Sequence, residues 1–215
     1  MIKKNKQKLL ISSIIILLPI IVGLITWNSL PQQMAVHWDA NGVPNGWRSR
    51  SFSVFAIPLF MLAVHWICII GTSLDPKNKN QTLKVFGLIF WICPIVSLFV
   101  GTIIYATAFG MDFGVNTIGN LFVGLIFVAV GNYLPKCKQN YTIGIKIVWT
   151  LDNEENWNAT HRFGGKVWVI GGLLIMLCAF LPKAVTSYAL VALAVLMVLI
   201  PVVYSYLYYR RQKED

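Results

Sequence analysis

Charge is scarce in these 215 residues: 12% are Asp, Glu, Lys or Arg, where a soluble domain carries about 25%. Hydrophobic residues make up 57% and the mean hydropathy is +0.67, so lipid rather than water is the expected solvent. Familiar enzyme motifs are missing as well. There is no His-Glu-x-x-His, no phosphate-cradling glycine loop and no nucleophile beside a base. The four cysteines form no Cys-x-x-Cys and no Cys/His cluster at zinc spacing. Cys68, Cys93 and Cys178 fall inside apolar runs and Cys137 on the expected inner side, so no structural disulfide, metal or cofactor is expected. No internal repeat of the kind carriers show is visible.

What is present is six apolar runs, at residues 9–27, 52–74, 85–109, 116–134, 167–182 and 188–209, each of 16 or more residues without Asp, Glu, Lys or Arg. A helical crossing takes roughly 20 apolar residues, so six runs use up most of the chain. The expected fold is all-α: a polytopic membrane helix bundle of six transmembrane helices forming a single domain over residues 1–215. The first run resembles a signal-peptide core but extends to Trp27 without a small-x-small cleavage site, so it is expected to stay as an anchor.

Orientation follows from the basic residues. With the N-terminus inside, Lys3, Lys4, Lys6, Lys8, Lys77, Lys79, Lys84, Lys136, Lys138, Lys146, Arg162, Lys166, Arg210, Arg211 and Lys213 lie inside, and only Arg48, Arg50 and Lys183 outside. Positively charged loops resist translocation, so N-in and C-in is expected. The net charge of +10 then marks a cytoplasmic face meeting acidic membrane lipid, with no direct nucleic-acid contact. The Asn-x-Ser/Thr triplets at Asn80, Asn140 and Asn158 fall on that inner side and read as chance.

Within the spans, Pro19, Pro58, Pro94 and Pro201 predict kinks. Ser97 with Gly101, and Gly119, Gly124 and Ala129, would permit close helix contact. Trp27, Tyr105 and Tyr188 outside, with Trp168, Tyr204, Tyr206, Tyr208 and Tyr209 inside, suit interfacial belts. Ion-coupled carriers usually place a carboxylate or basic group at depth. Here only His65 and cysteines are ionisable there, and a neutral imidazole bonded to a neighbouring helix is the expected state of His65.

Two polar segments remain. In the extracellular segment, residues 28–51, two Asn-Gly steps supply positive-φ positions and predict a compact turning loop, with Trp38 and Trp47 at headgroup depth and Asp39 near enough to pair with His37, Arg48 or Arg50. The cytoplasmic segment, residues 135–166, carries Asp152 and Glu155 at capping-box spacing. That predicts a short interfacial helix over about 153–163, with Glu154, Trp157 and His161 on one face, Asn158 and Arg162 beside them, and Trp149 and Trp157 as anchors. The Glu154, Glu155 and His161 group also admits an acid-base or metal reading.

The run GNYLPKCKQNYTIGIKIVWTLDNEENWNATHRFGGKVWVIGG, residues 131–172, resembles the C-terminal signature of the SdpI immunity-protein family, and LPQQMAVHWDANGVPNGW, residues 30–47, resembles the DUF1648 domain that accompanies it. The resemblance implies a multi-pass protein of the bacterial plasma membrane that protects against a secreted membrane-active peptide toxin and, on sensing it, holds a repressor protein at the membrane. By matching positions it implies an outer set, Pro31, His37, Asn41 and Gly42, and Trp38 and Asp39 of the same loop complete the expected toxin-facing residues. It also implies a cytoplasmic signature set that includes Asn132, Asn140, Gly144, Trp149, Thr150, Trp157, Thr160 and His161, and Glu154 and Arg162 of the expected helix face complete the expected docking residues. Many relatives carry Pro before the Trp-Thr-Leu triplet where Val148 stands here. Besides an immunity and signalling protein, which is not an enzyme, a small exporter or channel and a membrane enzyme using the Glu/His group remain open.

Overall fold

The computed structural model describes residues 2–39, 41–77, 83–111 and 114–214; the expectations placed on Lys79 and Asn80 lie outside them, as do those on the side chains of Lys3, Lys4, Lys84 and Lys183. Among the described residues are six helices long and apolar enough to cross a membrane, which makes the protein a polytopic helical membrane protein. The chain divides into two compact units, residues 1–73 with 87–115, and residues 74–86 with 116–215.

The first unit holds α1 (Lys6–Ile25), a two-stranded hairpin, α2 (Ile57–Leu74) and most of α3 (Leu83–Ala108). Runs of Leu, Ile and Val become helices here because lipid offers no partner to a backbone N–H or C=O, and a helix satisfies them internally. Five contacts climb α1. Leu9 packs with Ile69 and Phe90, and Ser12 Oγ lies 2.9 Å from His65 Nε2, the interhelical bond expected of that histidine. Higher up, Ser97 Oγ donates to the Ile16 carbonyl at 2.9 Å. Gly101 meets Pro19 so closely that a Cβ there would lie 2.9 Å from its ring. Tyr105 does not join an interfacial belt: it is 7% exposed and its hydroxyl donates to the Pro19 carbonyl at 2.7 Å.

Residues 28–51 are more ordered than a turning loop. β1 (Gln33–Trp38) pairs antiparallel with β2 (Pro44–Ser49), and a π-helical turn, Phe52–Ala56, leads into α2. Of the two Asn-Gly steps only Gly42 has positive φ, at 78°; Gly46 lies in β2 opposite His37, whose Cβ would be 2.8 Å from a Cβ added there. The second glycine therefore serves a close strand approach.

The second unit holds α4 (Val115–Tyr133), a short α5 (Val148–Asp152), α6 (Glu154–Cys178) and α7 (Lys183–Glu214). α4 and α6 touch through glycine pairs: a Cβ at Gly131 would lie 2.8 Å from the Gly165 carbonyl, and one at Gly172 2.6 Å from that of Gly124. Gly119 has open space around it, so of the three small residues expected to line α4, Gly124 does so and Gly119 does not. The interfacial helix does not end at 163. It begins at Glu154 and runs without a break to Cys178, although Lys166 and the Gly164-Gly165 pair interrupt its hydropathy. Its N-cap is Asn153, whose side chain accepts from the Asn156 N–H at 2.8 Å, and not Asp152.

Candidate functional site

The hairpin sits on the helices of its own unit through one face. Leu30, Met34, Val54, Ile104 and Tyr105 form a buried cluster, with Trp38 and Trp27 packed at its edge. Among the described residues Asp39 serves the turn of its own hairpin. Its Oδ1 accepts the N–H groups of Asn41 at 2.8 Å and Val43 at 2.9 Å, an Asx turn that shapes the tip with Gly42. His37 instead places Nδ1 2.6 Å from Asn45 Oδ1. Arg50, which is not among the outer residues singled out in the sequence, anchors the hairpin: its guanidinium donates to the carbonyls of Trp27 at 2.6 Å and Leu30 at 3.2 Å and lies 4.5 Å from the centroid of the Trp27 ring. Pro31, His37 and Asn41 are exposed, with Val43, Trp47 and Arg48, whereas Trp38, Asp39 and Gly42 are half-buried.

The segment between α4 and α6 is a clamped loop. Asn140 is fully buried. Its Oδ1 accepts from the N–H groups of Thr142 at 2.8 Å and Ile143 at 2.6 Å, and its Nδ2 donates to the carbonyls of Lys138 at 2.8 Å and Ile143 at 2.9 Å. One amide thus satisfies backbone groups that the irregular turn leaves without ladder partners. Gly144 follows with φ 115°, where a Cβ would strike His161 and Trp157. Thr150 Oγ1 accepts from Ile147 N–H at 3.1 Å and lies 2.9 Å from the carbonyls of Ile145 and Ile147, to one of which it donates. Gln139 Nε2 reaches the carbonyls of Thr150 and Leu151, each at 2.9 Å.

Trp157 and His161 are brought together but buried, so they are not a surface face. Their rings stack at 3.9 Å, Trp157 Nε1 donates to the Cys137 carbonyl at 2.8 Å, and His161 Nδ1 lies 2.8 Å from the Trp157 carbonyl while Nε2 accepts from Ile145 N–H at 3.0 Å. Both ring nitrogens are therefore occupied by backbone, with the proton on Nδ1. Glu154 is exposed and does not share this cluster. Among the described residues no group of three His, Cys, Asp or Glu gathers to hold a metal. Thr160 Oγ1 donates to Asn156 Oδ1 at 2.9 Å, which Ser205 Oγ also reaches at 2.6 Å, while Asn156 Nδ2 donates to the Ser205 carbonyl. Trp149 lies half-buried against Tyr206 and Tyr209, whereas Trp157 is fully buried and does not serve as a lipid anchor. Asn132 and Arg162 are exposed.

Asp75 is the residue that sequence reasoning passed over. It is 7% exposed, and its carboxylate accepts from Tyr141 N–H at 2.7 Å, Thr142 Oγ1 at 3.0 Å and Lys77 N–H at 2.9 Å. Its only signal in the chain is position, the first acidic residue after a span and 66 residues from its partner. Val148 is the first residue of α5 and Ile147 before it is extended, at φ −125° and ψ 159°. That is the position and the preceding conformation in which proline fits.

Six membrane-crossing helices, a packed hairpin after the first and a clamped polar loop before the fifth define a multi-pass membrane protein with two ordered extramembrane elements. Residues 136–205 match the model of the SdpI/YfhL protein family, and residues 14–62 match that of a domain of unknown function, DUF1648. It is 26% identical over 205 residues, 95% of this chain and 97% of the relative, to Immunity protein SdpI of Bacillus subtilis (strain 168). No solved structure matches.

Proposed function

We propose that this chain is an immunity protein of a bacterial plasma membrane, protecting its host against a secreted membrane-active peptide toxin. The observation that carries the reading is the near full-length similarity to an immunity protein, which takes in both ordered extramembrane elements. The exposed rim of the hairpin, with His37, Asn41, Trp47 and Arg48, has the aromatic and cationic groups suited to a peptide arriving at the headgroup layer, and Pro31, Trp38, Asp39 and Gly42 belong to its frame. The finer role is that of a two-faced receiver, which also holds a repressor protein on the cytoplasmic side through the 135–166 segment. Asn140, Gly144, Thr150, Trp157, Thr160 and His161 give that segment a fixed shape, and exposed Asn132, Glu154 and Arg162 are the groups available to a partner.

The membrane-enzyme reading has less support, because the His161 nitrogens both serve backbone groups. Expression in a toxin-sensitive host tests the proposal: wild type raises survival, His37→Ala or Trp47→Ala lowers it, and Arg162→Ala leaves survival intact while reducing capture of the repressor. Equal killing with and without the wild-type protein refutes immunity.

A further inference from the structure

A polar cavity of about 350 Å³ opens in the second unit between Lys77, Lys138, Gln139 and Glu154. Each of these residues lies within three positions of an end of an apolar span: Leu74 closes one, Lys136 another, and Glu154 opens a third. The cavity therefore lies at headgroup depth, where the ends of lipid molecules are the most abundant polar groups. Its walls carry two ammonium groups and one carboxylate. Lys77 is held in place by Gln139 Oε1 at 2.9 Å and by the Tyr141 ring at 4.8 Å, and since an ammonium has three N–H donors it keeps capacity for an anion.

We propose that this cavity seats the headgroup of an aminophospholipid, phosphoethanolamine, with its phosphate toward Lys77 and Lys138 and its ammonium toward Glu154. Two cations alone would suit any anionic lipid; the carboxylate beside them is what selects a headgroup bearing both signs. A choline headgroup has no N–H to give the carboxylate, and a glycerol headgroup has no cation, so both lose the charge-assisted hydrogen bond at Glu154. The inference does not depend on the immunity reading, because it uses only the cavity and its charges.

Purified full-length protein, exposed to equimolar phosphatidylethanolamine, phosphatidylglycerol and phosphatidylcholine in mixed micelles, is analysed by native mass spectrometry for retained lipid. Wild type is expected to retain phosphatidylethanolamine at least about threefold over either competitor, as a difference of one charge-assisted bond implies. Glu154→Gln is expected to abolish that preference, and Lys138→Gln to lower retention of all three. Both substitutions are at exposed positions, and circular dichroism checks that helix content is kept. Equal or greater retention of phosphatidylglycerol by the wild type, no lipid retained, or a preference that survives Glu154→Gln overturns the proposal.

Discussion

Asn140 shows how much one side chain can decide in a loop that has no ladder. Replacing it by Ala leaves the N–H groups of Thr142 and Ile143 without their buried partner. Each orphaned group costs about 1–3 kcal/mol, so Asn140→Ala is expected to lower stability by about 3 kcal/mol or more, read as a fall in the thermal midpoint of the solubilised protein. An unchanged midpoint would mean that the loop turns without it. Gly144 and His161 should be coupled. Gly144→Ala must bear a positive φ, a clash with the imidazole and a tight contact with the Trp157 ring, whereas in a His161→Ala background the clash with the imidazole is gone and the other two costs remain. The double variant is therefore expected to be less destabilised than the sum of the singles by about 1 kcal/mol or more, and strict additivity would refute the contact. The resemblance already singled out Asn140 and Gly144, and helical spacing put Trp157 and His161 on one surface face. The burial of Asn140, Trp157 and His161 was illegible because polar groups at 0–1% exposure are uncommon, and nothing along the chain announces that Ile145 and Cys137 will supply the partners of the two rings.

Among the elements, α4 and α6 depend on backbone approach at two glycine pairs, and the glycines along α4 can be sorted by what surrounds them. Gly131→Ala puts a methyl 2.8 Å from the Gly165 carbonyl and is expected to cost about 1–3 kcal/mol by overpacking. Gly119→Ala enters open space and is expected to be neutral or to gain up to about 1 kcal/mol from helix propensity. Equal effects of the two would contradict the packing. Val148→Pro, at the first residue of α5, is expected to be tolerated and to raise stability by about 0.4–1 kcal/mol through a less flexible unfolded chain; a loss would show that the Val148 N–H or its φ is needed. All six spans were readable because charge-free runs need no tertiary knowledge. The boundary of α6 was misplaced, since hydropathy breaks at Lys166 while the backbone hydrogen bonds do not, and Asn156 and Thr160 bury their polar ends against Ser205. The hairpin strands were hidden by Pro, Asn and Gly within Pro44–Ser49, residues that read as turn. Replacing 149–163 by a flexible linker would thus remove the first part of a membrane-crossing helix, and point substitutions at exposed residues are the sound way to separate signalling from folding.

For the molecule as a whole, sidedness is the property on which a receiver with two faces depends, and it is argued from charge. Fifteen of eighteen basic residues fall on one side of the six-span plan, and translocating such segments is costly, which favours N-in and C-in. The hairpin follows one span and the clamped loop follows four, so crossing by all six helices would put them on opposite sides of the bilayer, and charge is the argument for which side is outside. Val43 and Val148 offer clean reporters, at 56% and 70% exposure. In a cysteine-free background, Val43→Cys is expected to react with a membrane-impermeant maleimide in intact cells, and Val148→Cys only after the membrane is opened. The reverse pattern would turn the hairpin toward the cytosol and exclude it as a receptor for a secreted peptide. Labelling of both in intact cells would mean that one of the six apolar helices does not cross, and the two-faced reading would fall with it.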